Sequence, residues 1–279
     1  MTKIIGFFGA KESGKNTCAN IIHGLELMKL GMIKDYRLDD KGKLFILTQN
    51  STGEDGWGEL DITRRDPEFV NWAHNNMWPH IKIYSYATDL KTLAINLFNV
   101  PEECVYGTNK QKNTVMEHLL WENMPGIITP EKIKEVPLYH SHEWGLNEFC
   151  DQVPSLGLTL HESGPMTARE FMQFLGTEIG RKMWNPVWVN STIKKIKSEA
   201  SNIAIISDVR YETEVDAINE AGGYVVGLGR KPHKDSHTSE PDVKKFDKSK
   251  MHKLIANHKP KYNLENLIED VKAVYTSIC

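Results

Sequence analysis

The chain has 279 residues, of which 40% are hydrophobic and 25% are charged, and its formal net charge at pH 7 is −3. This composition is typical of a globular protein with a substantial core, and it excludes an overall basic field that would attract nucleic acid or an anionic membrane. We therefore expect anions to be bound locally, and a small phosphorylated ligand fits this charge balance better than a nucleic acid.

Cysteine usage and the N-terminus both favour a reducing, cytoplasmic setting. The four cysteines form no C-x-x-C pair, which predicts neither a zinc knuckle nor a disulfide framework: Cys18, Cys104, Cys150 and Cys279. The apolar run at residues 3–8 is far shorter than a bilayer span and leads into a glycine-rich loop, so we expect neither a signal peptide nor an anchor. His140, His142 and His161 lack the spacing of metal ligands, which favours surface histidines over a zinc site.

Strands and helices alternate along the chain. In order, the apolar patterns predict strand 3–8, helix 16–30, strand 81–86, helix 88–98, helices 167–183 and 187–199, strand 203–207, helix 212–221, strand 224–228, a strand near 253–256 and helix 264–278. This alternation predicts an α/β fold in which helices flank a parallel sheet on both faces. We expect a single domain, 1–279, with insertions at about 33–80 and 101–165.

The insertions are too long for bare loops and are expected to carry structure of their own. In the first, YRLDDKGKLFIL has turn residues between two alternating apolar stretches, which predicts a hairpin. Insertions of this kind often form a substrate pocket or a lid, and solvated decoration is the alternative.

Residues 9–17, GAKESGKNT, lie between the first predicted strand and the first predicted helix. Gly9, Gly14 and Lys15 fit the phosphate-loop pattern G-x-x-x-x-G-K, but Asn16 stands where Ser or Thr usually follows, and Thr17 comes one place later. A phosphate loop needs this context because the N-terminus of a helix offers free N–H groups and the positive end of its dipole. A nucleotide site is therefore favoured over a glycine turn that contains a lysine by chance.

Two further segments bear chemistry. The strand in NIAIISDVR ends at Asp208, where a carboxylate could hold magnesium directly or through water or could cap a helix, and Arg210 follows two residues later. In MTAREFMQFLGTEIGRKMW, Thr167 and Glu170 have capping-box spacing. One face of the helix carries an arginine, a glutamine and two glycines: Arg169, Gln173, Gly176 and Gly180. This face suggests close approach of a ligand to the backbone, and tight helix packing is the alternative.

These motifs together resemble a known family. GAKESGKNT, YSYATDLKTLAINLF, YGTNKQKNT, MTAREFMQFLGTEIGR, ISDVRYETEVDAINEAGG and DSHTSE resemble, in order, the deoxynucleoside monophosphate kinases of tailed phages, within the P-loop kinase superfamily. The resemblance implies transfer of the γ-phosphoryl group of ATP to a deoxynucleoside monophosphate, with Mg²⁺, for DNA synthesis. It is weakest over 33–80 and 127–160. In such kinases Gly-Lys-x-Thr is a common form of the loop, which accounts for Asn16 and Thr17.

The resemblance and the chemistry of phosphoryl transfer assign roles to particular residues. The ATP-binding loop would be Gly9, Ala10, Lys11, Glu12, Ser13, Gly14, Lys15, Asn16 and Thr17. Lys15 would contact the β and γ oxygens, and Thr17 and Asp208 would orient magnesium and its waters. Arg169 and Arg210 would hold the acceptor phosphate and the transferred one, because an arginine fork grips two oxygens at once. Gln173 and Lys91 are expected on the acceptor side, and a lid would include Arg230, Lys231 and His237.

Some alternatives stay open on the sequence. Asp89 stands where relatives are expected to carry a small residue or proline, so it either alters the acceptor site or caps its helix. A nucleotide-dependent switch is one rival, although Asn109-Lys110-Gln111-Lys112 lacks the aspartate of the base-reading motif of GTPases. A kinase for another small acceptor, such as dephospho-coenzyme A, is the second, since chemistry is grafted onto a fold. We expect no nucleic-acid or membrane partner, and a homodimer is left open.

Overall fold

The computed structural model describes residues 2–49, 52–133, 150–151, 153–230, 246–259 and 262–279. Its strands are β1 Lys3–Phe8, β2 Asp35–Leu38, β3 Leu44–Gln49, β4 Asp55–Glu59, β5 Ile81–Tyr84, β6 Val115–Leu120, β7 Ile127–Ile128, β8 Thr159–Leu160, β9 Pro165–Thr167, β10 Ile203–Val209, β11 Tyr224–Leu228 and β12 Lys253–Ile255. Its α-helices are α1 Lys15–Lys29, α2 Pro67–Asn76, α3 Thr88–Asn96, α4 Glu102–Tyr106, α5 Asn109–Lys112, α6 Ala168–Gln173, α7 Val187–Glu199, α8 Glu212–Glu220 and α9 Leu264–Ile278.

A parallel sheet lies at the centre of the α/β structure, as predicted. In the described part of the chain its strands follow the order β12–β11–β1–β10–β5. The first strand therefore lies between β10 and β11, with Ile5 paired to Ile205 on one side and to Tyr224 on the other. Strands β1 and β10 read as nearly continuous apolar runs because both of their faces are covered.

Alternate residues of each strand serve the two faces of this sheet. Ile5 and Ile205 belong to the core shared with α1 and α9. Ile4 and Ala204 belong to the core shared with α7 and α8. Because successive side chains of a strand point to opposite faces, one short strand contributes to both cores. The chain leaves β1 toward the face covered by α1 and β10 toward the face covered by α8, and α/β proteins bind ligands at the carboxyl ends of strands that part in this way.

The hairpin predicted in the first insertion is confirmed as β2 and β3, which pair antiparallel. A third strand, β4, pairs with β3, and α2 follows it; neither element was predicted from the sequence. Helix α2 nevertheless has a clear start, because the Asp66 side chain accepts from the Phe69 amide and Pro67 occupies the first turn. Strand β4 was missed because its sequence, DGWGE, contains two glycines and is exposed throughout.

Contacts divide the chain into two compact units, Met1–Thr88 with Trp188–Cys279, and Asp89–Val187. The second contains α4, α5, α6, the antiparallel pair β6 and β9, and the short parallel pair β7 and β8. Its main core is formed by Ala94, Val100, Cys104, Val105, Met116, Leu119, Met166, Ala168, Phe171 and Phe174. Among the residues with described positions, no helix is long and apolar enough to cross a membrane.

The helix predicted over 167–183 forms with a change of winding. It is α-helical over α6 and continues as a π-helix over Phe174–Arg181. A π-helical stretch is rare and often lies at a functional site. The predicted capping box is confirmed: the Thr167 side chain accepts from the Glu170 amide, and the Glu170 carboxylate accepts from the Thr167 amide.

Candidate active site

Residues 9–17, called here the glycine-lysine loop, join the carboxyl end of β1 to α1. Gly14 has φ of +104° and directly precedes the first helical residue, Lys15, so a side chain at Gly14 would be strained. A Cβ at Gly9 would lie 2.7 Å from the Ser13 hydroxyl oxygen and 3.2 Å from the Leu228 carbonyl oxygen. The backbone conformation thus favours glycine at position 14, and the close packing against Ser13 and Leu228 favours it at position 9, independently of any ligand.

Lys15 folds back into the loop. Its ammonium group donates to the carbonyl oxygens of Gly9 and of Ala10, the latter at 2.7 Å, and the residue is only 7% exposed. The Ser13 hydroxyl is buried and has no hydrogen-bond partner within the described ranges. The first amides of a helix also lack intrahelical acceptors. The loop thus combines a cation, a helix N-terminus and an unused hydroxyl, which together suit an anion.

Asn257 fixes the loop from outside, a role that was not predicted from the sequence. Its amide nitrogen donates to the Ser13 carbonyl oxygen at 2.8 Å, and its amide oxygen accepts from the Arg230 amide at 2.7 Å. The residue lies two positions beyond β12, at the same edge of the sheet as the loop. A polar residue just after the carboxyl end of a parallel strand was the available signal, because ligands bind outside those ends.

Asp208 lies near the carboxyl end of β10, next to the loop, and the Gly9 amide donates to the carbonyl oxygen of the following Val209. The Asp208 carboxylate accepts from the Ser85 hydroxyl at 2.6 Å and from the amides of Tyr86 at 3.0 Å and Ala87 at 3.3 Å. Strand β5 ends earlier than predicted, at Tyr84, and these three residues turn toward the carboxylate. Their contribution had no recognisable sequence signal.

The side chain that bonds to the amides at the start of α8 is Glu214, not Asp208. The Glu214 carboxylate accepts from the amides of Arg210 at 2.7 Å and Tyr211 at 3.1 Å. Asp208 instead bonds to the segment after β5. Burial first, then the Glu214 and Asp208 carboxylates, raise the pKa of the Tyr86 hydroxyl, so this phenol stays protonated beside the site. Arg210 is half-buried and follows the end of β10 directly.

In the unit Asp89–Val187, Arg169 lies in the first turn of α6. One terminal nitrogen of its guanidinium donates to the Asn109 side-chain oxygen at 2.9 Å. Its Nε is buried and finds no acceptor among the residues that the structure places. Asn109 begins α5, which a capping box between Thr108 and Gln111 starts. This segment takes part in the family resemblance, but no role for Asn109 was predicted from the sequence.

Other predicted residues of this unit have simpler surroundings. Gln173 lies one turn after Arg169 and is exposed. A Cβ at Gly176 would lie 2.8 Å from a terminal methyl of Leu90 on α3, so the packing interpretation applies to this glycine. The Lys91 ammonium lies 4.5 Å from the centroid of the Tyr106 ring, a cation–π contact. Asp89 lies in the first turn of α3, where a negative charge is favourable to the helix dipole.

Comparison with known families adds the deciding observation. The deoxynucleotide monophosphate kinase family matches residues 87–269, about two thirds of the chain. The chain belongs to this family. The match favours a kinase over the alternative of a non-catalytic nucleotide switch. It includes Lys91, Arg169, Asp208 and Arg210, whereas the glycine-lysine loop precedes it. No curated protein matches the sequence of this kinase.

The predicted site residues of the kinase are distributed over both compact units. Lys15, Thr17, Asp208 and Arg210 belong to the unit that contains the parallel sheet, whereas Lys91, Arg169 and Gln173 belong to Asp89–Val187.

Several predicted residues lie outside the described ranges: Lys231, His237, His140 and His142. Within those ranges, no three side chains of His, Cys, Asp and Glu lie close enough together to hold a metal ion. Thr17 and Asp208 are oxygen donors of the kind that Mg²⁺ prefers, and one or two protein oxygens suffice because Mg²⁺ keeps several waters.

Proposed function

We propose that this deoxynucleotide monophosphate kinase transfers the γ-phosphoryl group of ATP to a deoxynucleoside monophosphate, giving ADP and the deoxynucleoside diphosphate, with Mg²⁺ as cofactor. The observation that carries the proposal is the buried Lys15 ammonium, folded into a glycine loop between the central strand and α1. In a chain of this family, such a loop is the natural site for the phosphates of the donor.

On the donor side, the glycine-lysine loop would bind the ATP phosphates through the backbone amides of residues 10–16. Lys15 would exchange its bonds to the Gly9 and Ala10 carbonyls for phosphate oxygens, which are stronger partners because they carry charge. The Ser13 hydroxyl, for which the described residues provide no partner, would supply one further donor inside the loop. Asn257 keeps the loop in place by holding the Ser13 carbonyl.

The metal would be held by the Thr17 hydroxyl and, directly or through water, by the Asp208 carboxylate. Asp208 is oriented by three hydrogen bonds from residues 85–87, so its position is set before any ligand arrives. Thr17 and Asp208 would hold a cation that neutralises phosphate charge during the transfer. Thr17 lies two residues beyond Lys15, on the first turn of α1.

On the acceptor side, Arg169 would bind the phosphate of the deoxynucleoside monophosphate. Its buried Nε has no acceptor in the described part of the chain, and its terminal nitrogen donates to the Asn109 side chain. Arg210 would contact the transferred phosphoryl group, and Gln173 and Lys91 would line the acceptor site. Phosphoryl transfer needs little covalent help from a protein, so the work of these residues is to align the two phosphates and to spread the charge.

The experiment is an assay of ADP and deoxynucleoside diphosphate formation over a panel of deoxy- and ribonucleoside monophosphates, run with wild type and Lys15→Ala. We predict that Lys15→Ala lowers turnover by about 10³-fold, because it removes electrostatic stabilisation at the transferring group. The matched control is Lys197→Ala, which removes the same charge from an exposed site on α7. Near-wild-type turnover of folded Lys15→Ala would show that the loop does not bind the donor.

A further inference from the structure

The turn between β2 and β3, residues 39–43, lies against the first turn of α1. The Asp39 carboxylate accepts from the amides of Lys41 at 2.9 Å and Lys43 at 2.8 Å, and the Gly42 amide donates to the Asp39 carbonyl at 2.8 Å. Gly42 has φ of +77°. It is buried, whereas Lys41 and Lys43 on either side of it are exposed. The backbone of Gly42, which has no side chain, is therefore the part of the turn that faces α1.

The residue beneath that backbone is Thr17. A Cβ at Gly42 would lie 2.8 Å from the Thr17 methyl and 3.0 Å from its Cβ, and it would overlap the hydroxyl oxygen. One turn further along the helix, the Asn20 amide nitrogen donates to the Gly42 carbonyl oxygen at 2.8 Å. Gly42 thus touches the Thr17 side chain directly and is itself held by the same helix.

Contacts farther from the turn fix the hairpin to the same stripe of α1. A Cβ at Gly24 would overlap the ring of Tyr36 on β2, so this glycine admits the ring against the helix. Thr17, Asn20 and Gly24 are spaced by three and four residues and share one helix face. Leu44, at the start of β3, is part of the core shared with α1. The hairpin is a docked element, and its inward end meets Thr17.

We propose that the β2–β3 turn is a positioning element for the metal-bound nucleotide, in which Gly42 and Asn20 act by holding the Thr17 hydroxyl in place. The Thr17 hydroxyl and methyl occupy two of the three staggered positions on one Cβ, and Gly42 packs against both groups. The Gly42 backbone therefore restricts the direction in which the hydroxyl points. This inference rests on the proposed role of Thr17. It assigns a function to part of the insertion that precedes the family match.

The test measures ATP affinity by calorimetry, once with Mg²⁺ and once in a chelator, and unfolding of the free protein by urea. Asn20→Ala should weaken binding of Mg²⁺–ATP by about tenfold, the change that corresponds to one hydrogen bond, and should leave metal-free ATP binding nearly unchanged. Gly42→Ala should act in the same direction. Its matched control is Gly53→Ala, because Gly53 has φ of +84° in the next hairpin turn and nothing within 4 Å of an added Cβ.

A double-mutant cycle with Thr17→Val shows whether Asn20 acts through Thr17. If it does, Asn20→Ala causes no further loss of Mg²⁺–ATP affinity in the Thr17→Val protein, because the hydroxyl to be positioned is gone. Equal losses from Gly42→Ala and Gly53→Ala, or an Asn20→Ala effect that persists without the hydroxyl, would overturn the positioning role while leaving the proposed function intact. Unchanged Mg²⁺–ATP affinity in Thr17→Val would overturn both.

Discussion

At the scale of single residues, Arg169 is held by one hydrogen bond while a second donor is buried and unused. The bond runs from its terminal nitrogen to Asn109, and the unused donor is Nε, for which the described residues provide no acceptor. A buried donor without a partner costs free energy unless a ligand completes it. The capping box that starts α6 was readable in the sequence, but the Asn109 contact joins positions 60 residues apart and had no local signal.

We predict that Arg169→Ala lowers kcat/KM for the deoxynucleoside monophosphate by about one to two decades, since a charge-assisted contact is worth roughly 1.5–3 kcal/mol. ATP affinity should hardly change. Arg169→Lys should restore activity only in part, because lysine lacks the planar fork. Turnover at saturating ATP and a separate ATP titration measure the two effects. An equal loss of acceptor turnover and of ATP affinity would instead assign Arg169 to the ATP-binding side.

His23 on α1 is fully buried, and its Nδ1 donates to the Ala19 carbonyl oxygen at 2.8 Å. Its Nε2 lacks a partner among the residues described. Burial lowers the pKa of His23 from 6.5 to about 4. Between pH 4 and pH 6.5, the unfolded chain therefore carries a proton on His23 that the folded chain does not carry. The stabilisation by neutral His23 is complete above pH 6.5 and is lost as the pH falls toward 4.

We predict that the free energy of unfolding of the wild type falls by roughly 2 kcal/mol more than that of His23→Gln between pH 7 and pH 5, because one titrating group changes it by up to about 1.4 kcal/mol per pH unit. Urea denaturation at the two pH values measures the difference. His74→Gln, which alters an exposed histidine of α2, serves as the control and should behave as wild type. The same pH dependence in all three proteins would contradict the assignment.

At the scale of elements, the strands of the sheet and the helices beside it could largely be predicted from the sequence, because the apolar residues of each recur with one clear period. Helix α1 begins at Lys15 and α9 ends at Ile278, each within one residue of the prediction. Features set by tertiary contacts were not readable. The early end of β5 follows from the bonds of residues 85–87 to Asp208, and the change to π winding after Gln173 leaves no pattern in an apolar stripe.

We predict that Gly176→Ala lowers the free energy of unfolding by about 1 kcal/mol, the low end for overpacking, because the clash is with the movable end of Leu90. The loss should be smaller when Leu90→Ala has already removed that methyl. Chemical denaturation of the four proteins of this cycle measures the coupling. Additive losses would mean that Gly176 is required by the π-helical backbone rather than by the contact.

At the scale of the whole molecule, the position of the candidate site could be inferred from the alternation of strands and helices, because ligands of parallel sheets bind at the carboxyl ends. The glycine-lysine loop and Asp208 both lie at that edge. The division between Thr88 and Asp89 could not be inferred, since the predicted helix 88–98 crosses it without a break in periodicity. The expectation of one domain over 1–279 stays a prediction.

The beginning and the end of the chain are joined through α1 and α9. The Tyr275 hydroxyl donates to the Glu26 carboxylate, and Glu26 is only 5% exposed. We predict that Tyr275→Phe lowers the free energy of unfolding by about 1–3 kcal/mol, because it removes a partner from a buried carboxylate. Urea denaturation measures the loss. Tyr262→Phe removes a 2.8 Å bond from a tyrosine just before α9 to Asp270 on α9, in less buried surroundings; it is the matched control and should cost less.

A rescue separates this charge effect from simple packing. In the Tyr275→Phe protein, Glu26→Gln should recover part of the lost stability, because a neutral amide is cheaper to bury than a carboxylate. No recovery would assign the loss to the packing of α9 instead.

The central position of β1 has a consequence for synthesis on the ribosome. Its two neighbours in the sheet are β10 and β11, which begin at residues 203 and 224, so nearly two hundred residues must follow β1 before either partner exists. Loops of that length close slowly, and folding rates fall as sequence separation grows. The unit Asp89–Val187, whose core residues all come from one continuous stretch, is complete earlier. The glycine-lysine loop, although it directly follows β1, is therefore among the last parts of this kinase to reach its native surroundings.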